Sequence, residues 1–169
     1  MTEQNLRTRH AKPTASRPDM PGYGILDAGS GSGLLSWDWA TTRLAQARTY
    51  WISTTRPDGR PHAMPVWGVW LNDTFYFSSG PDSRKARNLA ANPRCVVGTE
   101  PAGDAIIVEG ESEPVTDPLV RRQFAEVYSA KYEWPMDDFA EPIYAVRPTV
   151  VFAFPTGDFV SGATRWVFE

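Results

Sequence analysis

Three cations crowd the start of one short segment. They are Arg84, Lys85 and Arg87, within Ser78-Ser79-Gly80-Pro81-Asp82-Ser83-Arg84-Lys85-Ala86-Arg87-Asn88-Leu89-Ala90-Ala91-Asn92-Pro93. The stretch reads as a strand end, a tight turn and a short helix. Asp82 and Ser83 are both good N-caps. Ala86, Leu89 and Ala90 fall at i, i+3 and i+4, so one face can pack inward, and Asn92-Pro93 stops the helix. Cations are disfavoured in a first helical turn, where the macrodipole is positive. An anion seated on the free N–H groups reverses that penalty, as at phosphate-binding helix starts. A solvated basic face is the alternative, and the stretch alone leaves both open.

Few other residues could do chemistry. His10 and His62 are the only histidines, and Cys95 is the only cysteine. They offer no zinc or haem ligand set of standard spacing and no intramolecular disulfide. His62 is the one acid–base candidate in the ordered region, with a plain polar strand residue as the alternative. Cys95 lies in an apolar strand and reads as a buried thiol; Asp137-Asp138 read as solvated loop carboxylates. Ile25-Leu26-Asp27-Ala28-Gly29-Ser30-Gly31-Ser32-Gly33 imitates a nucleotide-binding glycine loop. That loop requires a βαβ unit, and the chain beyond Gly33 is antiparallel in pattern, so a flexible Gly/Ser linker accounts for it better. The 169 residues carry 17 basic and 20 acidic side chains, a net charge of -3. This argues against nucleic-acid binding and against a polybasic membrane surface. No segment reaches the apolar length of a membrane span, and the N-terminus has no apolar signal core, so a cytoplasmic protein is expected.

The elements that position these residues follow from patterning. Residues 1–33, polar and rich in Pro, Gly, Ser and Arg, read as a flexible N-terminal arm, and 34–169 as one domain. Ser36 caps a helix over 37–47. Strands are expected over 50–55, 60–70 and 74–79, then 94–100 and 105–113. Pro61 and Pro65 make the second of these an edge or bulged strand. Asp117-Pro118 opens a helix with Val120, Phe124, Val127 and Tyr128 on its apolar face. Two strands, 142–146 and 149–154, are split by Arg147-Pro148, and 163–168 alternates well enough to be a last strand. Six to seven antiparallel strands with peripheral helices predict a mainly β fold, a barrel.

The order of motifs is specific. Thr55-Arg56-Pro57-Asp58-Gly59-Arg60-Pro61-His62 is followed by Pro65-Val66-Trp67-Gly68-Val69-Trp70, by Phe75-Tyr76-Phe77-Ser78-Ser79, by Ser83-Arg84-Lys85-Ala86-Arg87-Asn88-Leu89 with Asn92-Pro93, and by Val108-Glu109-Gly110. Over about a third of the chain this resembles the pyridoxamine 5'-phosphate oxidase-like split β-barrel family of flavin and deazaflavin proteins. The resemblance implies a homodimer of split barrels with a cofactor bound at the subunit interface. The cofactor phosphate would be held by Ser83, Arg84 and Lys85, with Arg87 and Asn88 as further contacts. The ring would lie along the strand carrying Arg60, His62, Met64, Pro65, Val66 and Trp67, and near Ser78 and Ser79. Trp67 would stack on or flank it, and Trp70, three residues on, should point to the opposite face.

The Pro-Val-Trp form is closer to the proteins of coenzyme F420, a deazaflavin, than to pyridoxamine oxidase itself. The oxidase's closing Arg-x-His is absent, since Arg165 is followed by Trp166 and Val167. Its flavin-contacting Gln is replaced by Ala105. The resemblance implies an oxidoreductase that passes hydride between coenzyme F420, or FMN, and a small organic substrate. Alternatives are a cofactor carrier without turnover and an FMN-dependent pyridoxamine 5'-phosphate oxidase-like enzyme. No residue is assigned a catalytic role, because hydride transfer needs orientation and a dry pocket more than an acid at the accepting carbon.

Overall fold

The computed structural model describes residues 12–27, 29–100, 103–136 and 139–169. In chain order its elements are β1 (Thr14–Ser16), α1 (Trp37–Gln46), β2 (Tyr50–Thr55), β3 (Pro61–Val66), β4 (Gly68–Leu71), β5 (Thr74–Ser78), α2 (Arg84–Ala91), β6 (Arg94–Thr99), β7 (Ala105–Pro114), α3 (Pro118–Tyr132), β8 (Ile143–Phe154), α4 (Phe159–Gly162) and β9 (Thr164–Val167). The fold is mainly β and antiparallel. The sheet runs β1-β9-β8-β7-β6-β2-β3, and β4 and β5 branch from it through β8. It does not close, which is the split of the barrel.

β8 makes the branch possible. On one edge it pairs with β7 along nearly its whole length. On the other it takes β5 at Ile143–Val146 and β9 at Val150–Ala153. The two strands expected from the sequence on either side of Arg147-Pro148 are therefore one. The register shifts between Glu109 and Gly110, which pairs with Pro148. A bulge of this kind admits a proline inside a long strand. Gly110 permits it, since a Cβ there would lie 2.3 Å from the Arg147 carbonyl oxygen.

The expected strand over 60–70 is divided instead. β3 pairs only with β2 and forms an edge, as Pro61 and Pro65 require. β4 pairs only with β5. Trp67 stands between the two strands, at the open seam of the barrel.

Two cores explain the burial. Inside the barrel lie Tyr50, Ile52, Phe75, Phe77, Val97, Val108 and Trp166, closed by Ala40 and Leu44 of α1. Outside it, α3 lays Phe124 and Tyr132 on Val69, Tyr76 and Ala145. Strands β4 and β5 are therefore buried on both faces. Trp70 is buried while Trp67 is 47% exposed, the opposition expected of this pair.

The expected arm needs correction over part of its length. Thr14–Ser16 pairs with Val167–Arg165 of β9, and Arg17 is 2% exposed. Its guanidinium donates to the carbonyls of Ser30, Ser32, Ser161 and Ala163. The Gly/Ser run thus supplies carbonyls to a buried cation, with no βαβ unit around it. Residues 1–11 lie outside the described residues, as do Asp137 and Asp138. No described helix is long and apolar enough to cross a membrane.

Candidate functional site

The start of α2 is built by its cap. The Ser83 side chain accepts from the Ala86 N–H at 3.2 Å and shares a 2.8 Å hydroxyl–hydroxyl bond with Ser79. Ser78 Oγ donates to the Pro142 carbonyl at 2.9 Å, which fixes the end of β5 beneath the turn. The first helical bond is Arg87 N–H to the Ser83 carbonyl, so the Arg84 and Lys85 N–H groups precede it and are left for an outside acceptor. Arg84 and Arg87 are exposed and Lys85 is half-buried. Burial lowers the Lys85 pKa. Among the described residues the ion pairs are Arg43–Asp104, Arg60–Asp58, Arg94–Glu111 and Arg147–Glu113. The cations of α2 take part in none of them. Charge, free N–H groups and macrodipole all favour an anion here.

His62 on β3 faces the same charge. Desolvation first, then Arg56, Lys85 and Arg84, hold its pKa below the ordinary value, so the ring is neutral at pH 7. Thr54 Oγ1 lies 3.4 Å from His62 Nδ1 and accepts from Asn88 Nδ2 at 2.9 Å. Asn88 is fully buried. It ties α2 to β2 through Thr54, and its Oδ1 has no hydrogen-bond partner among the described residues. Arg60 is paired in the hairpin turn with Asp58 Oδ2 at 2.8 Å and stands outside the seam cavity.

The seam cavity has a volume of about 370 Å³. Pro65, Val66 and Trp67 form one wall, and Ser78 and Lys85 stand with them. These five expected residues are brought together, with Thr49 and Tyr128 added. Met64 is exposed next to them on β3. A larger cavity of about 530 Å³ opens on the outer sheet face between Thr55, Pro61 and Val96. Its cation, Arg94, already pairs with Glu111, and Glu109 lines it too, so it is unsuited to a phosphate. Among the described residues no three or more His, Cys, Asp or Glu side chains converge as for a metal.

The sequence reading missed what the end of α3 contributes. Tyr132 stacks on Trp67 with centroids 4.8 Å apart and 1° between planes. Tyr128 and Trp134 flank the indole at 6.4 and 6.5 Å. Tyr132 Oη accepts from the Gly68 N–H at 2.9 Å and lies 2.7 Å from the Gly68 carbonyl. Lys131 Nζ donates to that carbonyl at 3.0 Å and to Tyr50 Oη at 2.9 Å. Burial, then the charge of Arg48, lowers the Lys131 pKa to about 8. Burial pushes Tyr132 up to about 12 and Tyr50 higher still. The i, i+4 spacing of Phe124, Tyr128 and Tyr132 was the available signal, but it reads equally as a core stripe. The assembled site offers a cationic anchor, a flat aromatic wall and an edge strand with unpaired backbone groups.

Residues 38–154 match the family model described as pyridoxamine 5'-phosphate oxidase. Among solved structures, General Stress Protein 26 from Bacillus anthracis str. Sterne is 21% identical, covering 69% of this chain and 91% of its own, with a TM-score of 0.58. An F420 reductase is 26% identical, covering 65% of this chain and 93% of its own, with a TM-score of 0.54. An FAD-binding protein from Mesorhizobium loti is 20% identical, covering 79% of this chain and 96% of its own, with a TM-score of 0.57. No curated protein matches the chain.

Proposed function

The chain belongs to the pyridoxamine 5'-phosphate oxidase family, and from that premise we propose that it is an oxidoreductase that binds coenzyme F420, with FMN as the alternative, and passes hydride between it and a small organic substrate. The observation that carries the reading is the juxtaposition of Lys85 at the cap of α2 with Trp67 at the seam, across one cavity. The residues fit a phosphorylated flat ring. Ser83, Arg84 and Lys85 provide charge and N–H donors with no carboxylate paired to them among the described residues, and Trp67 provides a wall already held flat by Tyr132. The likeness to an F420 reductase and an FAD-binding protein supports a cofactor of this class.

When bound, the cofactor supplies the hydride chemistry; the chain supplies position and dryness. Ser83, Arg84 and Lys85 would hold its phosphate. Pro65, Val66 and Trp67 would hold its ring system. His62, neutral at pH 7, presents a hydrogen-bonding ring to the same region without adding charge. The outer face of β2, β3 and β6 exposes Trp51, Ala63 and Pro65, the apolar surface that a second copy would cover in a homodimer.

Calorimetric titration of the apo-protein with coenzyme F420 and with FMN, side by side, tests the reading. F420 should bind, and the Arg84→Ala, Lys85→Ala double variant should bind it more weakly by about 3–6 kcal/mol, since each of the two charge-assisted phosphate bonds contributes about 1.5–3 kcal/mol. Tight FMN binding with none to F420 overturns the deazaflavin assignment. Unchanged affinity in the double variant removes α2 from the site.

A further inference from the structure

His62 has an ordinary pKa near neutrality, and its place ties it to α2. It sits half-buried on the edge strand β3. Its Nδ1 lies 3.4 Å from Thr54 Oγ1, which accepts from Asn88 Nδ2 of α2 at 2.9 Å. The charges that act on the ring come from two elements and share one sign. They are Arg56 of the β2–β3 turn, and Lys85 and Arg84 of α2. Asp58, in the same turn as Arg56, is bonded to Arg60, and Asp82, in the turn before α2, is exposed; neither acts on the ring. Thr54 suits both protonation states of the imidazole. Its hydroxyl can donate to Nδ1 of the neutral ring. When Nδ1 carries a proton, the same oxygen accepts from it and the hydroxyl turns to the His62 carbonyl, also 3.4 Å away. The buried Asn88 Oδ1, without a partner among the described residues, is a second acceptor for that hydroxyl once the amide turns over.

We propose that an anion seated at the start of α2 draws a proton from solvent onto His62, so that loading this site takes up a proton. Without the anion, an imidazolium is a fourth positive charge beside Arg56, Arg84 and Lys85, which enter no ion pair among the described residues. A dianion on the free N–H groups of Arg84 and Lys85 offsets that field and removes the reason for His62 to stay neutral. The coupling is reciprocal: a bound proton strengthens the hold on the anion by the factor that the anion strengthens the hold on the proton. The arginines stay charged throughout, which leaves His62 as the group that titrates between pH 5 and pH 7. The proton uptake rests on the anion reading of α2, whereas the coupling of His62 to the α2 cations is measurable with no ligand present.

The test follows the His62 ring by NMR on the full chain, in a His10→Gln background that leaves one histidine. Sulfate is the probe because it stays a dianion from pH 5 to pH 7.5, and chloride at equal ionic strength is the reference. The His62 pKa should lie below 6.5 in chloride and rise by about 0.5–1 in saturating sulfate. By calorimetry, sulfate should then bind about three- to tenfold more tightly at pH 5 than at pH 7.5. His62→Gln should still bind sulfate and lose that pH dependence. The Arg84→Ala, Lys85→Ala double variant should raise the His62 pKa in chloride, with no anion bound, and cancel the response to sulfate. Sulfate binding with an unmoved His62 pKa, a pH dependence that survives in His62→Gln, or a double variant whose His62 pKa stays at the parent value overturns the proton uptake and leaves the anion reading standing. Absence of sulfate binding to the parent strikes the anion reading and the uptake together.

Discussion

Replacing Lys131 with methionine probes the seam through its pH dependence. The Lys131 ammonium is half-buried between Tyr50 and the Gly68 carbonyl, and its pKa falls from 10.5 to about 8. Between those values the native state binds fewer protons than the unfolded chain, so stability rises with pH across that window and is flat at its lower level below it. From pH 8 to pH 9 linkage gives a rise of about 1 kcal/mol, reduced to about 0.5 kcal/mol because the side chain is partly screened by solvent. Above pH 9 the sign reverses. Cys95, raised from 9.0 to about 12, and Tyr132, raised from 10.0 to about 12, keep protons in the native state that the unfolded chain releases.

At pH 7 Lys131→Met loses two hydrogen bonds of about 0.5–1.5 kcal/mol each and removes a half-buried charge that costs about 1–2 kcal/mol after screening. Both partners keep a second bond: Tyr50 Oη donates to the Leu44 carbonyl, and Tyr132 remains on Gly68. The net change at pH 7 should stay within about 1 kcal/mol. Urea unfolding followed by tryptophan fluorescence at pH 7, 8 and 9 reads all of this. Lys85, shifted in the same direction, adds a small rise, and Cys95, whose unfolded thiol begins to ionise below pH 9, an opposing fall of about 0.3 kcal/mol, in parent and variant alike, so the Lys131 contribution is the difference between the two. A stability difference between parent and variant that fails to grow in the parent's favour from pH 8 to pH 9 refutes the reasoning.

Gly68→Ala should destabilise by about 2–4 kcal/mol, seen as a lower urea midpoint, because overpacking forces backbone shifts and a Cβ there would sit 2.4 Å from Phe75 Cζ and 2.7 Å from the Tyr76 carbonyl oxygen. Arg17→Met should lower the thermal midpoint by several degrees, an expected loss of about 2–4 kcal/mol, since four carbonyls lose their donor at once; an unchanged midpoint would show that β1 is dispensable. The Cys95 thiol, 6% exposed and with its pKa pushed up to about 12 by burial, should stay inert to Ellman's reagent at pH 8 until the protein is unfolded in urea.

What the sequence determined by itself was local. The alternation in Tyr50–Thr55, the caps at Ser36, Ser83 and Asp117, and the prolines of β3 are short-range signals, each legible because its cause lies within a few residues. The cation-rich start of α2 belongs with them, and its fixed order after β5 was enough for the family resemblance. Boundaries set by partners were not legible. The break at Trp67 depends on β3 and β4 pairing with different strands. The unbroken β8 depends on a bulge across from Gly110, and the docking of Thr14–Ser16 depends on β9.

The site divides the same way. Lys85, Ser78, Pro65, Val66 and Trp67 were foreseeable as residue types, and the cavity unites them. Asn88 follows the basic run, and the helix's orientation on β2 is what turns it inward. Tyr128, Tyr132 and Trp134 are far from Trp67 along the chain, and the stripe they continue is ambiguous between core and site. Their meeting at the seam was decided by tertiary structure alone, because α3 must cover the outer faces of β4 and β5, and its length then carries its last turn to the barrel's opening.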